Sequence, residues 1–499
     1  MAKDPQALGR LKMHRTTASY KMQFGLAKTL KTELVQKLKE TPYSLNLDEA
    51  TSNNLIHVFT VLVSYYDRDS RRMKVEQLGS LSVPQVDAQS LFDQLTQLCS
   101  KLGVPLVNLL AMLMDSASTM RGQKSGLETR IRKVAPHLAD IDGDTCHHIH
   151  RIVLKFTSHF DRYLESLFRF IYTDFKTSAD SMEMLKEISF HIGLTFRKPV
   201  NYISARWLSV HDTSLAFSYM EHSYVLYYNA VLKRMAAQEL RKVYTERKQL
   251  KDTEETTERQ IKWDKRQEYA QKCDEKIFSL NDVQAESINK IKDIQTSIGK
   301  KYAGGTTKGK ARKSKIVTKL CLNRKYVSLL TGVYDTILTI FKKYVMLFQQ
   351  EKPVIHKIYP KQLELVKTFY SYFVKPEVLK TCQTAKDLKK LDLSTKNILP
   401  SNLIFLGSKA KGLIKKKNKK DEEFMKRVIK AYVDTGVYIK EKLPLESQTL
   451  KSISYIDPEL VSSSSTEVMQ NLLKLPEIFV SVLKGDEGDI FLRDSSTDE

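Results

Sequence analysis

Several absences narrow the classes of protein to which this 499-residue chain can belong. It has no apolar run approaching the roughly 20 residues that a membrane-spanning helix needs, and no apolar signal core follows Met1. Its five cysteines are scattered and form no Cys-x-x-Cys pair, so no disulfide framework or zinc-finger module is readable. We therefore expect a reducing compartment, with the nucleus preferred and the cytoplasm as the alternative.

Negative charge is also scarce relative to positive charge. The chain has 81 Lys and Arg against 58 Asp and Glu, a formal net charge of +23. This excess favours a polyanionic partner, first of all nucleic acid and DNA in particular, although an anionic membrane surface is compatible with charge alone. The 41% hydrophobic content is typical of a globular protein, and the length favours two or three domains.

The periodicity of apolar residues changes repeatedly over the first 209 residues. The predicted elements are a helix over 20–40, strands over 44–48, 56–66 and 73–83, a helix over 85–102, a strand over 107–114, helical structure over 120–135, a strand over 138–141 and a helix over 146–172. Three strands in a meander, followed by alternating helices and strands, match the order of an RNase H-like sheet. Such a sheet is antiparallel first and parallel later.

From residue 209 onward the strand signal fades, and the pattern predicts an all-helical body. The Gly-Gly pair and lysines of residues 303–315 predict a flexible basic loop, and a second basic cluster occupies residues 409–420. The fold class is therefore α/β plus all-α, with an RNase H-like mixed sheet interrupted by a large helical insertion. The predicted domains are a polar tail (1–19), the larger part of the RNase H-like domain (20–209), the helical insertion (210–450) and a truncated return to the first domain (451–499).

Two of the predicted strands end in a carboxylate. Residues 43–52 contain the acidic pair Asp48-Glu49, and Asp115 directly follows an apolar run. Carboxylates at the ends of two buried strands suit divalent metal ions, which stabilise the attacking and leaving oxygens in phosphoryl transfer. Each of these residues could equally start a turn or cap a helix.

Four segments of the chain, in one order, resemble motifs of the hAT-superfamily transposases and of host proteins derived from them. Residues 44–51 resemble the first acidic strand of the family, and residues 115–126 resemble its second acidic motif. Residues 142–150 are similar to its Cys/His motif, and residues 204–209 to the Arg-Trp motif near which its helical insertion starts. The resemblance implies an RNase H-like catalytic domain in which two aspartates and one glutamate hold divalent metals.

Carried onto this sequence, the resemblance places the first two metal-binding carboxylates at Asp48 and Asp115. The ion would be Mg²⁺ or Mn²⁺ if the protein is active. Gly122 and Gly126 also fit the second acidic motif, and we interpret them as structural residues that supply turns or close backbone approach.

The third carboxylate of the family is not evident. The best local match to a Glu-Trp-Arg-like motif has Phe491 in the place of the glutamate, and Glu487 or Asp489 would fit only in a shifted register. The family's BED-type zinc finger and C-terminal dimerisation segment are not recognisable either. The resemblance therefore implies a descendant with impaired catalysis. The alternative is a non-catalytic regulator that binds nucleic acid or protein through the basic helical body.

The histidine-rich segment is interpreted as structural, and no zinc site is predicted. Cys146, His147 and His150 lack the expected Cys-x-x-His spacing, and Asp144 stands where the leading cysteine would be if His147 takes the family's histidine place. A zinc site needs about four ligands, and no second Cys/His pair is visible. A buried, hydrogen-bonded histidine cluster is the preferred interpretation.

The candidate nucleic-acid contacts come from the Arg-Trp motif and the two basic clusters: Arg206, Trp207, Lys308, Lys310, Arg312, Lys313, Lys415, Lys416 and Lys417. In the family, a tryptophan at the position of Trp207 is associated with stacking on a flipped base, but it could also be a core aromatic. The lysine clusters could equally be import signals or solvated faces. We expect DNA as partner, allow for a second copy of the chain or a protein partner, and expect no membrane.

Overall fold

The computed structural model describes residues 13–51, 56–206, 208–249, 254–350, 352–415, 418–457 and 465–479. These residues form one four-stranded mixed sheet and a larger, helical remainder. The coarse prediction of an α/β part joined to an all-α part is therefore confirmed. No helix in this part of the chain is long and apolar enough to cross a membrane.

The sheet has the strand order β3-β2-β1-β4. The strands are β1 (Tyr43–Thr51), β2 (His57–Asp67), β3 (Arg72–Val83) and β4 (Leu109–Leu113). The first three form the predicted antiparallel meander, and β4 pairs with β1 in parallel. Because parallel strands point the same way, the carboxyl ends of β1 and β4 lie at the same edge. The strand predicted over 138–141 is reduced to a single bridge, Ala111 to Ala139.

One face of the sheet is buried. Its alternating positions, among them Leu45, Val61 and Val63, belong to an apolar core that also includes Leu34 and Leu95. The helices that precede and follow the strands in this half of the chain are α1 (Arg15–Tyr20), a π-helical turn (Lys21–Leu26), α2 (Ala27–Glu40), α3 (Ala88–Leu102), α4 (Ser118–Arg121) and α5 (Leu127–Val134). The C-terminal half of α2 and the apolar stripe of α3 thus fix the position of the sheet.

The helical body starts before residue 209. Its helices are α6 (Thr145–Ser158), α7 (Tyr163–Lys176), α8 (Ala179–His191), α9 (Ser209–Gln249), α10 (Glu254–Leu280), α11 (Ala285–Ala303), α12 (Thr307–Ile316), α13 (Arg324–Phe348), α14 (Ile358–Ser371), α15 (Pro376–Lys380), α16 (Ala385–Lys390), α17 (Ser408–Leu413), α18 (Lys419–Lys442), α19 (Gln448–Ser454), α20 (Ser465–Leu472) and α21 (Leu475–Ile478). Their largest continuous core begins at Cys146 and extends to Leu445. Helices α6 to α8 therefore pack with the body, and α6 connects the sheet to it.

Two further predicted elements differ from the observed ones. The helix predicted over 146–172 is broken between α6 and α7, where Asp161 (φ 55°) and Arg162 (φ 49°) adopt left-handed conformations. The loop predicted over 303–315 is largely the helix α12, capped by Thr306, whose Oγ1 accepts a hydrogen bond from the backbone N–H of Gly309. Tertiary contacts of α12 outweigh its poor helix propensity.

Candidate functional site

A cleft of about 1150 Å³ opens where the carboxyl ends of β1 and β4 meet α6. The end of β1 (residues 46–51) and the end of β4 (residues 113–115) form one side. Helix α6 supplies further lining residues, and the segment 204–206 closes the cleft together with side chains of α13. All four segments that carry the motifs identified in the sequence therefore converge in one cleft.

Asp48 lies on the β1 side of the cleft. It pairs across the sheet with Thr60 of β2, which also lines the cleft. Its side chain is reachable from solvent, yet the surrounding protein desolvates it, and this burial raises the pKa of its carboxyl above the ordinary value. The nearby negative charges of Asp115 and Glu49 raise the pKa further, and His147 opposes the shift.

Asp115 follows β4 and is half-buried. Its Oδ1 accepts a hydrogen bond from the backbone N–H of Ala117 at 2.8 Å, so the turn-forming role considered for this residue is present. This bond orients the carboxylate, which has about four lone-pair sites in all and retains others for a ligand.

Asp144 places a third carboxylate in the same cleft. It is the N-cap of α6, accepts a hydrogen bond from the Cys146 N–H at 2.8 Å, and its own N–H donates to the Met114 carbonyl at 3.0 Å. Burial raises the pKa of Asp144, and the charge of Asp115 adds to the shift. The sequence showed Asp144 only as an unexpected residue in a Cys/His motif.

The three residues of the Cys/His motif do not face the same way. Cys146 is buried in the helical core, where burial raises its pKa to about 12, and its Sγ–H donates to the Val345 carbonyl at 3.9 Å. His150 is 8% exposed, and its Nδ1 accepts from the Leu208 N–H at 3.5 Å. Only His147 and His150 line the cleft.

A divalent ion finds suitable donors here but no complete ligand set. Carboxylate oxygens such as those of Asp48 and Asp115 are preferred by Mg²⁺ and Mn²⁺. Within the described ranges, however, no group of three or more His, Cys, Asp or Glu side chains is arranged to hold a metal ion. Mg²⁺ is commonly bound by one or two carboxylates together with substrate phosphates and water. The two aspartates fit this partial role.

Basic side chains surround the carboxylates. Arg151 and Arg206 line the cleft with exposed side chains, whereas Lys342 of α13 is paired with Asp212 at 2.8 Å. Arg151 was missed in the sequence, although it lies four residues after His147 and hence on the same face of α6. No sequence pattern around Lys342 indicates that it lines the cleft, because it reaches the cleft from a distant part of the chain.

The loop that carries Asp144 is anchored by Arg121. The guanidinium Nε donates to Glu128 at 2.6 Å, and Nη2 donates to Asp140 at 2.7 Å. Gly143 (φ 77°) lies directly against this guanidinium, since a Cβ there would come within 2.7 Å of Nη1. The Arg121 side chain therefore ties the loop after β4 to the loop before α6.

Gly122 and Gly126 lie where stretches of backbone approach each other closely. A Cβ on Gly122 would collide with the Ser118 carbonyl oxygen, and one on Gly126 would collide with the backbone of Gly122. The Gly126 N–H donates to the Gly122 carbonyl at 2.8 Å. Both positions need glycine because the backbone approaches closely there, and not because φ is positive.

Of the remaining predicted nucleic-acid contacts, those that the structure describes do not line the cleft. Arg312 and Lys313 of α12 pair with the buried Asp174, so these two cations serve the fold. Lys308 and Lys415 are exposed, and Lys310 is half-buried. Five further candidates lie outside the described residues: Trp207, Lys416, Lys417, Glu487 and Asp489.

No protein-family model matches the chain. The function is therefore inferred from the cleft itself, which combines the carboxylates of Asp48 and Asp115 at two parallel strand ends with the exposed side chains of Arg151 and Arg206.

Proposed function

We propose that this chain is a hAT-transposase-derived protein that binds nucleic acid, DNA in the first place, in the cleft between an RNase H-like sheet and α6. The convergence of the four motif segments in one cleft is the observation that supports this proposal. Chance convergence is disfavoured because the segments come from three strands or loops and one helix, separated by long stretches of chain.

The charges of the cleft suit a phosphodiester backbone in the presence of a cation. Arg151 and Arg206 offer charge-assisted hydrogen bonds to phosphate oxygens, as arginines at nucleic-acid interfaces do. The carboxylates of Asp48 and Asp115 repel phosphate, and a bound Mg²⁺ or Mn²⁺ would offset that repulsion. Catalysis is impaired in this proposal because the two further carboxylates that line the cleft among the described residues are both engaged. Asp144 caps α6, and Glu49 Oε1 lies 3.0 Å from His57 Nδ1.

Neutralising the two arginines tests the cleft directly. The double variant Arg151→Gln, Arg206→Gln is expected to bind duplex DNA about tenfold more weakly at low salt, because each lost phosphate contact removes one counterion-release contribution. The slope of log affinity against log salt is expected to fall by about 2. Fluorescence anisotropy across a salt series measures both quantities.

A control of equal charge separates the cleft from the general field of this basic protein. Lys262→Gln with Lys265→Gln removes two exposed cations of α10. This control is expected to change affinity less than threefold and to leave the slope within about 0.5 of the parent value. Equal losses in the two double variants would refute binding in the cleft.

Manganese binding tests the role of Asp48. Calorimetry with Mn²⁺ in the presence of duplex DNA is expected to show binding that Asp48→Asn abolishes and that Asp69→Asn, an 85% exposed hairpin control, retains. Because the pKa of Asp48 is raised, its ionised form is lost at higher pH than for an ordinary aspartate. As the pH falls, Mn²⁺ binding should therefore weaken at a higher pH than binding to an ordinary aspartate would. DNA cleavage under these conditions would contradict the proposal that catalysis is impaired.

Binding through the basic helical body receives less support. Several of its cations are engaged by acidic side chains of the body: Lys313 and Arg312 with Asp174, Lys325 with Asp421, and Lys409 with Glu221. These pairs reduce the positive field that a polyanion would meet on the body.

A further inference from the structure

The face of the sheet opposite the apolar core is exposed to solvent at the end next to the turn between β2 and β3. Six alternating residues of β2 and β3 form this open sheet face: Leu62, Ser64, Tyr66, Met73, Val75 and Gln77. Tyr66 is 47% exposed, Val75 54% and Met73 39%, whereas their neighbours Val63 and Tyr65 are buried on the other face. An aromatic ring and two apolar side chains are thus displayed together on a flat, hydrogen-bonded surface.

The open sheet face is continuous with the cleft. Leu62 belongs to the open sheet face and to the cleft. Thr60, the cross-strand partner of Asp48, lies two residues before Leu62 on the same face of β2. Tyr66 lies six positions after Thr60, which corresponds to about 20 Å along an antiparallel strand. A chain bound in the cleft can therefore continue across the sheet to Tyr66 without leaving the surface.

The hairpin at the far end of this face is positively charged. Its turn carries two arginines with exposed side chains, Arg68 and Arg71, whereas Arg72 pairs across the strands with Asp67 and so lies on the side of the sheet opposite Met73. Its acidic residues do not neutralise them, because Asp67 pairs with Lys37 and Lys74 at 2.5 Å each, and Asp69 pairs with Lys37 at 3.2 Å. These acidic partners turn toward α2, on the buried side of the sheet.

We propose that the open sheet face binds a single-stranded stretch of the nucleic acid whose backbone enters the cleft. A base stacks on Tyr66, Met73 and Val75 add apolar contact, and the hairpin arginines hold the phosphates beyond it. Aromatic platforms beside positive charge are the recurring means of binding single strands without sequence preference. This inference rests on the proposed function of the cleft and specifies the form of nucleic acid that the site takes.

Charge decides against a second copy of the chain as the occupant. If two copies paired through this face about a two-fold axis, each would bring its own two turn arginines, Arg68 and Arg71, to one contact. No acidic side chain on the open sheet face would compensate for that repulsion, since its six residues are all uncharged. A polyanion is favoured by the same charges that disfavour self-association.

Substitution of Tyr66 tests the platform. With a fluorescein-labelled oligothymidylate as probe, Tyr66→Leu is expected to weaken binding roughly tenfold, the scale of losing one stacking platform. Tyr66→Trp should preserve or strengthen binding, because the larger ring stacks at least as well. The control is Tyr20→Leu, which removes a more exposed tyrosine (67% against 47% for Tyr66) from α1 and should leave affinity unchanged. Unchanged affinity for Tyr66→Leu would overturn the inference.

Two further measurements separate this inference from the proposed function and from other occupants. Tyr66→Leu should change affinity for a duplex of the same length by less than twofold, whereas the Arg151 and Arg206 double variant weakens duplex binding. If the arginine variant weakens binding and Tyr66→Leu does not, nucleic-acid binding in the cleft is supported and base stacking on Tyr66 is refuted. If no probe binds the parent protein, the proposed function itself fails. A sedimentation change caused by Tyr66→Leu would overturn the platform in favour of a protein contact.

Discussion

Replacing Asp174 with alanine is expected to lower the free energy of unfolding by about 3–5 kcal/mol, the cost of leaving buried charges without their partner. The Asp174 side chain is only 1% exposed and is contacted by three donors. Arg312 Nε donates at 3.0 Å, the Tyr228 hydroxyl donates at 3.0 Å, and Lys313 forms the third, very short ion pair. Burial lowers the pKa of Lys313 even with Asp174 present, so its charge depends strongly on this carboxylate.

Urea unfolding followed by circular dichroism measures this loss. The matched control is Asp180→Ala, which breaks the ion pair with Lys301 but involves a carboxylate that is 84% exposed, and it should cost about 0–1 kcal/mol. Asp174→Asn should fall between the two, because the amide oxygen can still accept from Tyr228. A loss no larger than that of Asp180→Ala would show that Arg312 and Lys313 do not depend on Asp174.

Replacing Arg121 with alanine is expected to cost about 2–4 kcal/mol and to loosen the loop that holds Asp144. Glu128, 7% exposed, loses one of its two cationic partners and keeps Arg132 at 2.7 Å, which limits the loss. Asp140 loses its contact with Arg121 at 2.7 Å, so the loop before α6 is no longer tied to the loop after β4. Arg121→Lys should recover less than half of the loss, because an ammonium cannot make both contacts in fork geometry.

Hydrogen exchange resolves the local effect of this change. The amides of residues 140–144 should exchange faster in Arg121→Ala than in the parent protein. Arg130→Ala is the control, since Arg130 bonds a loop carbonyl and Gln89 and contacts no acidic residue of this network. Equal protection of residues 140–144 in both variants would contradict the anchoring role of Arg121.

The sheet was predictable because its information is local. Leu45 alternates with polar residues in β1, β2 is rich in β-branched and aromatic residues, and the three meander strands were predicted to within three residues of their observed ends. The break between α6 and α7 was not predictable, because Asp161 and Arg162 enter left-handed conformations without a glycine or proline to announce it. Packing of both helices into the common core overrides the local preference.

The candidate site was predictable in part for the same reason. Asp48 lies near the carboxyl end of β1 and Asp115 follows β4, both strands are indicated by the pattern, and parallel pairing brings such ends together. Arg151 could have been found from its spacing to His147 on α6. Lys342 could not, because only the packing of α13 against the first part of the chain brings it to the cleft. Composition also does not tell which cationic side chains are available to a ligand, since Lys313 and Arg312 both pair with a single buried aspartate.

The wide separation in sequence between α6 and its partner α18 has a consequence for synthesis on the ribosome. Phe156 packs on Tyr432 with ring centroids 5.6 Å apart, and Arg427 bonds Asp161 across 266 residues of chain. At translation rates of about 5–20 residues per second, α18 emerges roughly 10–60 s after α6. The sheet can close early through its near neighbours in sequence, while the part of α6 that packs on α18 stays uncovered throughout this interval. Nascent chains of this protein should therefore depend on chaperones until the last third of the chain has been translated.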